Sequence, residues 1–437
     1  MMRTTRLFWF LGITVVVAML LAAACGGGDG DGDDATPENG GTPLTEDVPG
    51  VTDTEIVLGT HQPLTNTPAA AYAQIASVTE AYFNFINETQ NGVHGRKITL
   101  VTEDDQYSPS LTVDVVRRLV EQEKVFAILS GLGTATHLQV VDYLLERGVP
   151  DMFMSTGAIE WVRDPEARPN VFGAIPNYVA EGIVLGRYIA ETYPGQKLGL
   201  IFQNDEFGLD GIDGIKRGIG DTLEIVGEES SEPVDPDVDS QMDSLRAAGA
   251  DVVVVYTLPP QAAAAVSHAR SDLDWDVPIV ISGVDANEIT ILLAGGGEIM
   301  EGVVSASIFR QAHETDDPGI AAHLDLLRDY ADGMGANYLT IYGQYIGELM
   351  VEALERAGPN LTRQGLIDAA ESITDFQCSV CLFTINMSST DHDPAQSLIL
   401  ARIDGGKWVN FGDMFDWEGV AVDDLSLDSL ETIPSPY

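Results

Sequence analysis

VFAILSGLGTATHLQVVDYLLERGVPDMFMSTGA, residues 125–158, is the stretch whose reading decides the fold. An apolar run (VFAILS) breaks into a small polar loop (GLGTAT, 131–136), passes into a helical stretch (136–147), and returns as a second apolar run (DMFM) that ends in STGA (155–158). Strand, loop, helix and strand in that order make a βα unit of a parallel sheet, because parallel neighbours need a crossover of helix length. The alternation extends both ways. Upstream lie EIVLG with a helix over 69–89, and KITLV with a helix over 110–122. Beyond Pro176 come a helix over 179–193, LGLIF, a helix over 208–218, EIVGE, a helix over 238–248, DVVVVY, a helix over 260–271, and PIVIS. Runs such as LGLIF and VVVVY, unbroken by polar residues, suit strands buried on both faces. The expected fold class is α/β, with two Rossmann-like lobes, each a parallel sheet between helices.

The chain has 437 residues, 45% of them hydrophobic, with 44 Gly and 21 Pro, which excludes a disordered acidic polymer and a fibrous repeat. Against 68 Asp and Glu stand 22 Lys and Arg, a formal net charge of −46. A field of that sign repels phosphates, so no nucleic-acid partner is expected.

The first residues set the compartment. Arg3 and Arg6 precede an apolar stretch over 7–24, and Cys25 follows three alanines. This reads as an export signal over 1–24 with Cys25 as the lipid acceptor. The match to a lipobox is imperfect: Ala22 stands where an aliphatic residue is usual, and Leu21 lies one place further from Cys25. The alternative is an uncleaved signal anchor, since 18 residues just suffice to cross a bilayer. Both put the body outside the cytoplasm, anchored to the membrane. Residues 25–52, Gly- and Asp-rich and without hydrophobic periodicity, read as a flexible acidic linker.

Ligands of doubly wound sheets sit at the carboxyl ends of the strands. There the chain offers THQPLTNTP (60–68), GLGTAT and STGA. Hydroxyls and free N–H groups at helix starts suit a carboxylate or an amide, and three such loops on one edge outweigh ordinary helix capping for GLGTAT. His137 stands beside this loop, either bonding a ligand or as an exposed first-turn residue. A dinucleotide fingerprint fails at Thr136, where a third glycine is required. Asp235, Asp237 and Asp239 alternate like calcium ligands, but Ser240 and Arg246 fall where such a loop needs Gly and Glu, and the segment reads as a turn. There is no GxSxG, no HExxH and no close pair among the seven histidines in the sequence, so no catalytic residue, metal or cofactor is expected. Cys378 and Cys381 form an exported CxxC followed by an expected strand (LFTIN) rather than a helix, which favours a local disulfide over a redox or zinc site.

Taken together, AILSGLGTATHLQVVDYLLERGVP, STGA, LGLIFQNDEFGLDGIDGIKRGIG and SQMDSLRAAGADVVVV, with GVVSASIF (302–309), YGQYIGELMVEALERAGPNLTR (342–363) and IDGGKWVNFGD (403–413), carry a family resemblance. From about Thr54 to Asp413 the chain resembles the branched-chain amino acid type of periplasmic solute-binding protein of ABC transporters, type I fold, and within it the branch associated with aromatic and other small carboxylates. The resemblance implies lobes joined by a three-segment hinge, with lobe 1 over 53–174 and 304–383, lobe 2 over 175–303 and 384–415, and an acidic C-terminal extension, mobile or draped on the surface, over 416–437. It implies a ligand carboxylate held by Gly133, Thr134 and Ala135 and by Ser155, Thr156 and Gly157, with Phe207 closing over it and Tyr72 near the cleft mouth. Asp285 is the candidate partner for an α-ammonium, and Leu258 stands where those relatives carry a ligand-facing tyrosine. The implied partners are a small-molecule carboxylate and the permease and ATPase subunits of an ABC importer, with the protein itself a monomer. A ligand sensor of the same fold signalling to a membrane receptor is the alternative, and an amide or ester hydrolase the third reading.

Overall fold

The computed structural model describes residues 47–437. The expected export signal, Cys25 and the linker up to residue 46 lie outside the described residues.

The first sheet holds β1 (Glu55–Gln62), β2 (Lys97–Asp104), β3 (Ile128–Leu129), β4 (Asp151–Met154) and β5 (Val171–Gly173) in the order β2-β1-β3-β4-β5. All its pairs are parallel. Its crossovers are α1 (Ala73–Thr89), α2 (Pro109–Glu121), and the short α3 (Thr134–His137) and α4 (Val141–Glu146). The helix expected over 136–147 is thus two pieces, broken at 138–140.

The second sheet begins with β6 (Lys197–Gln203), β7 (Glu224–Ser231), β8 (Val252–Tyr256), β9 (Ile279–Ile281) and β10 (Val304–Ser307), mutually parallel. β11 (Ser397–Asp404), β12 (Lys407–Asp416) and β13 (Glu431–Ile433) extend it antiparallel, giving the order β13-β12-β11-β10-β9-β8-β6-β7. Its helices are α5 (Tyr178–Thr192), α6 (Glu206–Ile219), α7 (Asp239–Ala248), α8 (Pro259–Ser267), α9 (Glu288–Leu293) and α10 (Gly297–Met300). The remaining helices, α11 (Pro318–Tyr330), α12 (Tyr338–Ala357) and α13 (Arg363–Glu371), return to the first sheet, where α11 and α12 pack on α1.

Three sequence expectations are corrected here and one is narrowed. Residues 304–307, assigned to lobe 1, are β10 of the second sheet, because Val304 pairs with Val280 and with Arg402. LFTIN is no strand; Ile385 makes a single bridge to Phe376. Of the two alternatives for the C-terminal extension over 416–437, the structure has the one laid on the second sheet: β13 pairs with β12, and Leu425 and Leu430 are buried. At the other end, Val48 and Val51 of the expected linker belong to the core, and Gly50 lies so close to Phe126 that a Cβ would fall 2.1 Å from its backbone nitrogen.

Apolar strands alone do not hold the second lobe together. Gly182 and Gly186 of α5 face Gly211, Gly214 and Gly218 of α6, and a Cβ on Gly182 would come within 2.4 Å of the Gly211 carbonyl oxygen. These glycines let two helix backbones touch, a packing that any larger side chain would prise apart.

The chain passes between the sheets after β5, after β10 and before β11. Gly173 N–H donates to the His392 carbonyl (3.0 Å), Asn177 Nδ2 donates to Asp393 Oδ2 (3.1 Å), and Leu382 N–H donates to the Ile308 carbonyl (3.0 Å). The three crossing segments therefore lie against one another.

Candidate functional site

β3 and β4 each end in a turn that packs on the other. Ser130 Oγ and Ser155 Oγ are 2.6 Å apart, as are Thr134 Oγ1 and Thr156 Oγ1. Gly133, at φ 100°, is in a conformation that suits glycine, and a Cβ there would sit 2.6 Å from the Tyr107 ring. Gly131 has a second constraint: its Cβ would fall 2.4 Å from His61 Nε2. The GLG sequence is thus required by what lies above and below it.

Above it, a cavity of about 40 Å³ is lined from both lobes. Gly133, Thr134, Ser155 and Tyr342 give it polar atoms; Tyr72, Tyr107, Tyr178, Phe207, Leu258 and Val284 give most of its apolar wall. That volume is far below the roughly 300–1,000 Å³ usual for a small-molecule pocket. Any organic ligand must part the lobes or turn these side chains to enter.

Hydrogen bonds join the lobes around the cavity, one of them from Tyr178 N–H to the Gly157 carbonyl (2.8 Å). Tyr72 Oη donates to the Val284 carbonyl (3.2 Å), Ile159 N–H donates to Asp210 Oδ2 (3.0 Å), and Tyr338 N–H donates to Glu288 Oε2 (3.0 Å). Two carboxylates of the second lobe thus grip backbone N–H groups of the first. Burial pushes the Asp210 carboxyl up to about 6, against the Ile159 hydrogen bond, and raises that of Glu288.

No lining residue is charged. Two buried acids of the second lobe stand behind the wall. Glu181 Oε1 accepts from Gly283 N–H (2.8 Å), and burial pushes its carboxyl up to about 7. Asp285 Oδ2 accepts from Ser282 Oγ (2.9 Å), and burial holds its carboxyl well above the usual carboxylate range. Tyr178 opens α5, Phe207 stands in the first turn of α6, and Leu258 caps α8, so three helix N-termini meet the cavity, with Glu181 in the first turn of α5 and Asp205 and Glu206 at the start of α6 set against their dipoles.

The expected site residues divide. Gly133, Thr134, Ser155, Phe207 and Tyr72 line the cavity. Thr156 supports Thr134, and Gly157 packs under the Pro176 carbonyl, with room for no Cβ. Ala135 and Asp285 are off the lining. His137 is neither exposed nor turned to the ligand space: it is wholly buried, with Nδ1 3.2 Å from His61 Nε2 and Nε2 2.6 Å from Asp151 Oδ2. His61 Nδ1 in turn lies 2.8 Å from Asp105 Oδ2. Two histidines distant in sequence are a pair in space, and with two carboxylates they form a closed buried chain. Cys378 and Cys381 form a disulfide. Among the described residues no cluster of His, Cys, Asp and Glu could hold a metal ion.

Sequence reasoning missed Tyr107, Tyr178, Val284 and Tyr342. Tyr178 had a signal, since Asn177 caps α5 and the residue after a cap at a strand end faces the cleft. Tyr107 had none; it reaches the cavity through a left-handed turn (φ 57°) after β2.

A family model described as periplasmic binding protein matches residues 55–407. The chain is 25% identical over 255 residues to an amino acid binding protein of Pseudomonas aeruginosa, an alignment covering 57% of this chain and 66% of that relative. It is 23% identical over 314 residues to the Leu/Ile/Val-binding protein homolog 2 of Brucella abortus, covering 71% of this chain and 81% of the other. Among solved structures, a branched chain amino acid ABC transporter from Thermus thermophilus with bound valine superposes with a TM-score of 0.75 at 22% identity, over 83% of this chain and 97% of that one. A fatty acid ABC transporter substrate-binding protein from Thermomonospora curvata gives a TM-score of 0.74 at 22% identity, over 87% and 97%.

Proposed function

Because this chain belongs to the periplasmic binding protein family, we propose that it captures a small carboxylate between its two lobes and delivers it to the permease and ATPase of an ABC importer. The supporting observation is the cavity itself, built from strand-end loops of both sheets and closed by hydrogen bonds between them. In this reading the carboxylate meets the Thr134 and Ser155 hydroxyls, and the apolar body packs on Tyr72, Tyr178, Phe207 and Leu258. The closed form gains contacts to the ligand that the open form lacks, and that difference drives closure. No bond is made or broken. A lipid on Cys25 would hold the monomer outside the cytoplasm at the membrane, with the acidic segment after it as the tether.

A thermal-shift panel of aliphatic acids, aromatic acids, amides and amino acids tests this reading. Ligand at about 100 times its Kd adds about 2.7 kcal/mol of stability, enough for a clear rise in melting temperature. No shift with any member of the panel would contradict it.

A further inference from the structure

A second cavity, of about 390 Å³, opens on the first lobe between α1, α11, α12 and the Cys378–Cys381 loop, and shares no lining residue with the interlobe cavity. Its volume is within the roughly 300–1,000 Å³ usual for a small-molecule pocket. Tyr82 and Phe85 of α1 and Tyr330 of α11 make its aromatic wall, with successive ring centroids 5.9 and 5.7 Å apart and ring planes at 50° and 75°. Tyr330 is fixed there by donating Oη to Glu88 Oε2 (3.1 Å). The faces of such rings carry the negative end of the quadrupole and attract a cation. The acids beside the wall are unequally paired. Asp325 and Asp329 share one guanidinium, that of Arg328, which itself stays off the lining. Glu348 of α12 meets no cation among the described residues. Its oxygens accept from Gln344 Nε2 (2.7 Å), Ser379 N–H (2.7 Å) and Ser379 Oγ, all neutral donors. Ser379 stands inside the disulfide loop, so the CxxC holds the donors that fix this carboxylate. His323, beneath, is buried between Gln344 and Thr340, and burial lowers its pKa, so it adds no positive charge near neutral pH. Three lining carboxylates thus stand against one guanidinium, and no Lys, Arg or His lines the cavity.

We infer that this cavity binds a small organic cation, an ammonium group on an aryl or alkyl body, with the body against Tyr82, Phe85 and Tyr330 and the charge toward Glu348. The site is independent of ligand capture between the lobes. Charge excludes the chain's own segments as occupants: residues 26–46 contain no Lys or Arg, and a second copy of a chain with a net charge of −46 brings the same sign. Gln344 and Ser379 hold Glu348 in place before a ligand arrives, so its carboxylate accepts an ammonium without rearranging.

The test is calorimetric titration of the full-length protein with 2-phenylethylammonium and with its neutral isostere 2-phenylethanol. The ammonium compound should bind at least about tenfold tighter than the alcohol, and raising salt from about 20 to about 200 mM should weaken it. Glu348→Gln should lower its affinity about fivefold or more. Arg328→Gln, a change at an exposed side chain that leaves Asp325 and Asp329 unpaired, should raise it, a gain that no damage to the fold can imitate. Equal affinity for the two compounds, or no binding of the ammonium compound at about 1 mM, would overturn the inference. So would ammonium binding that neither substitution changes, because the compound would then be held elsewhere.

Discussion

His61 Nε2 and His137 Nδ1 lie 3.2 Å apart beneath the GLG turn, their rings stacked with centroids 5.4 Å apart, and each ring passes its other nitrogen to a buried carboxylate. The chain Asp105–His61–His137–Asp151 is joined by three hydrogen bonds. All four residues are fully buried. His137→Leu would leave Asp151 without its partner and should destabilise the protein by roughly 3–5 kcal/mol in urea unfolding. His137→Leu combined with Asp151→Leu should lose less, because no buried charge is then left alone.

Stability should fall as pH rises from about 5 to about 8. Burial pushes the Glu181 carboxyl from 4.5 up to about 7 and the Asp393 carboxyl from 3.8 up to about 8. Between the unfolded and folded values the folded protein keeps protons that the unfolded chain has released, so stability is fully present below the lower value and is lost as pH passes through the higher one. Melting temperatures at pH 5.5 and 8.5 check this, and Glu181→Gln with Asp393→Asn should flatten the difference. A profile that these replacements leave unchanged would assign it to other groups.

Thr134→Val keeps the volume and removes the hydroxyl that faces both Thr156 and the cavity. Affinity for the best acid should drop about tenfold with the melting temperature of the free protein little changed. Phe207→Leu should also weaken binding, because the Phe207 ring packs at a tilt on Tyr178 (centroids 4.7 Å apart) and on Tyr256 (5.1 Å) and so holds the aromatic wall together.

The disulfide between Cys378 and Cys381 closes a very short loop, with both residues buried. Loop-closure entropy then gives it about 2 kcal/mol, and the Cys378→Ser, Cys381→Ser double variant should lose about that in urea unfolding. A loss near zero would place the effect within the reduced chain's own residual structure.

The sequence made the sheets legible wherever a strand is buried on both faces, as in LGLIF and VVVVY, because burial writes an unbroken apolar run. It misled at VSAS (304–307), where two serines interrupt the run and hide a strand; Ser305 Oγ there is satisfied by the Ser282 carbonyl. At the cavity, Thr134 and Ser155 were legible from their place just past a strand, and Phe207 through the family resemblance alone. His61 with His137 was not, because the pair is made by sheet order: β1 and β3 are neighbours in space though β2 lies between them in the chain. Asp285, the acid picked out by the resemblance, lies off the lining, with Oδ2 on Ser282 Oγ and Oδ1 buried without a hydrogen-bond partner.

The account depends most on closure of the two lobes around a ligand. Ser110 opens toward solvent at the start of α2 in the first lobe, and Leu209 does so, 54% exposed, in the first turns of α6 in the second. Spin labels on Ser110→Cys and Leu209→Cys allow their separation to be read by pulsed dipolar spectroscopy with and without the acid that most raises the melting temperature. A broad or long distribution should collapse to one short distance on adding the acid, and Asp210→Ala with Glu288→Ala should shift it back toward long distances. One unchanged distance in the presence of an acid that demonstrably stabilises the protein would contradict the account.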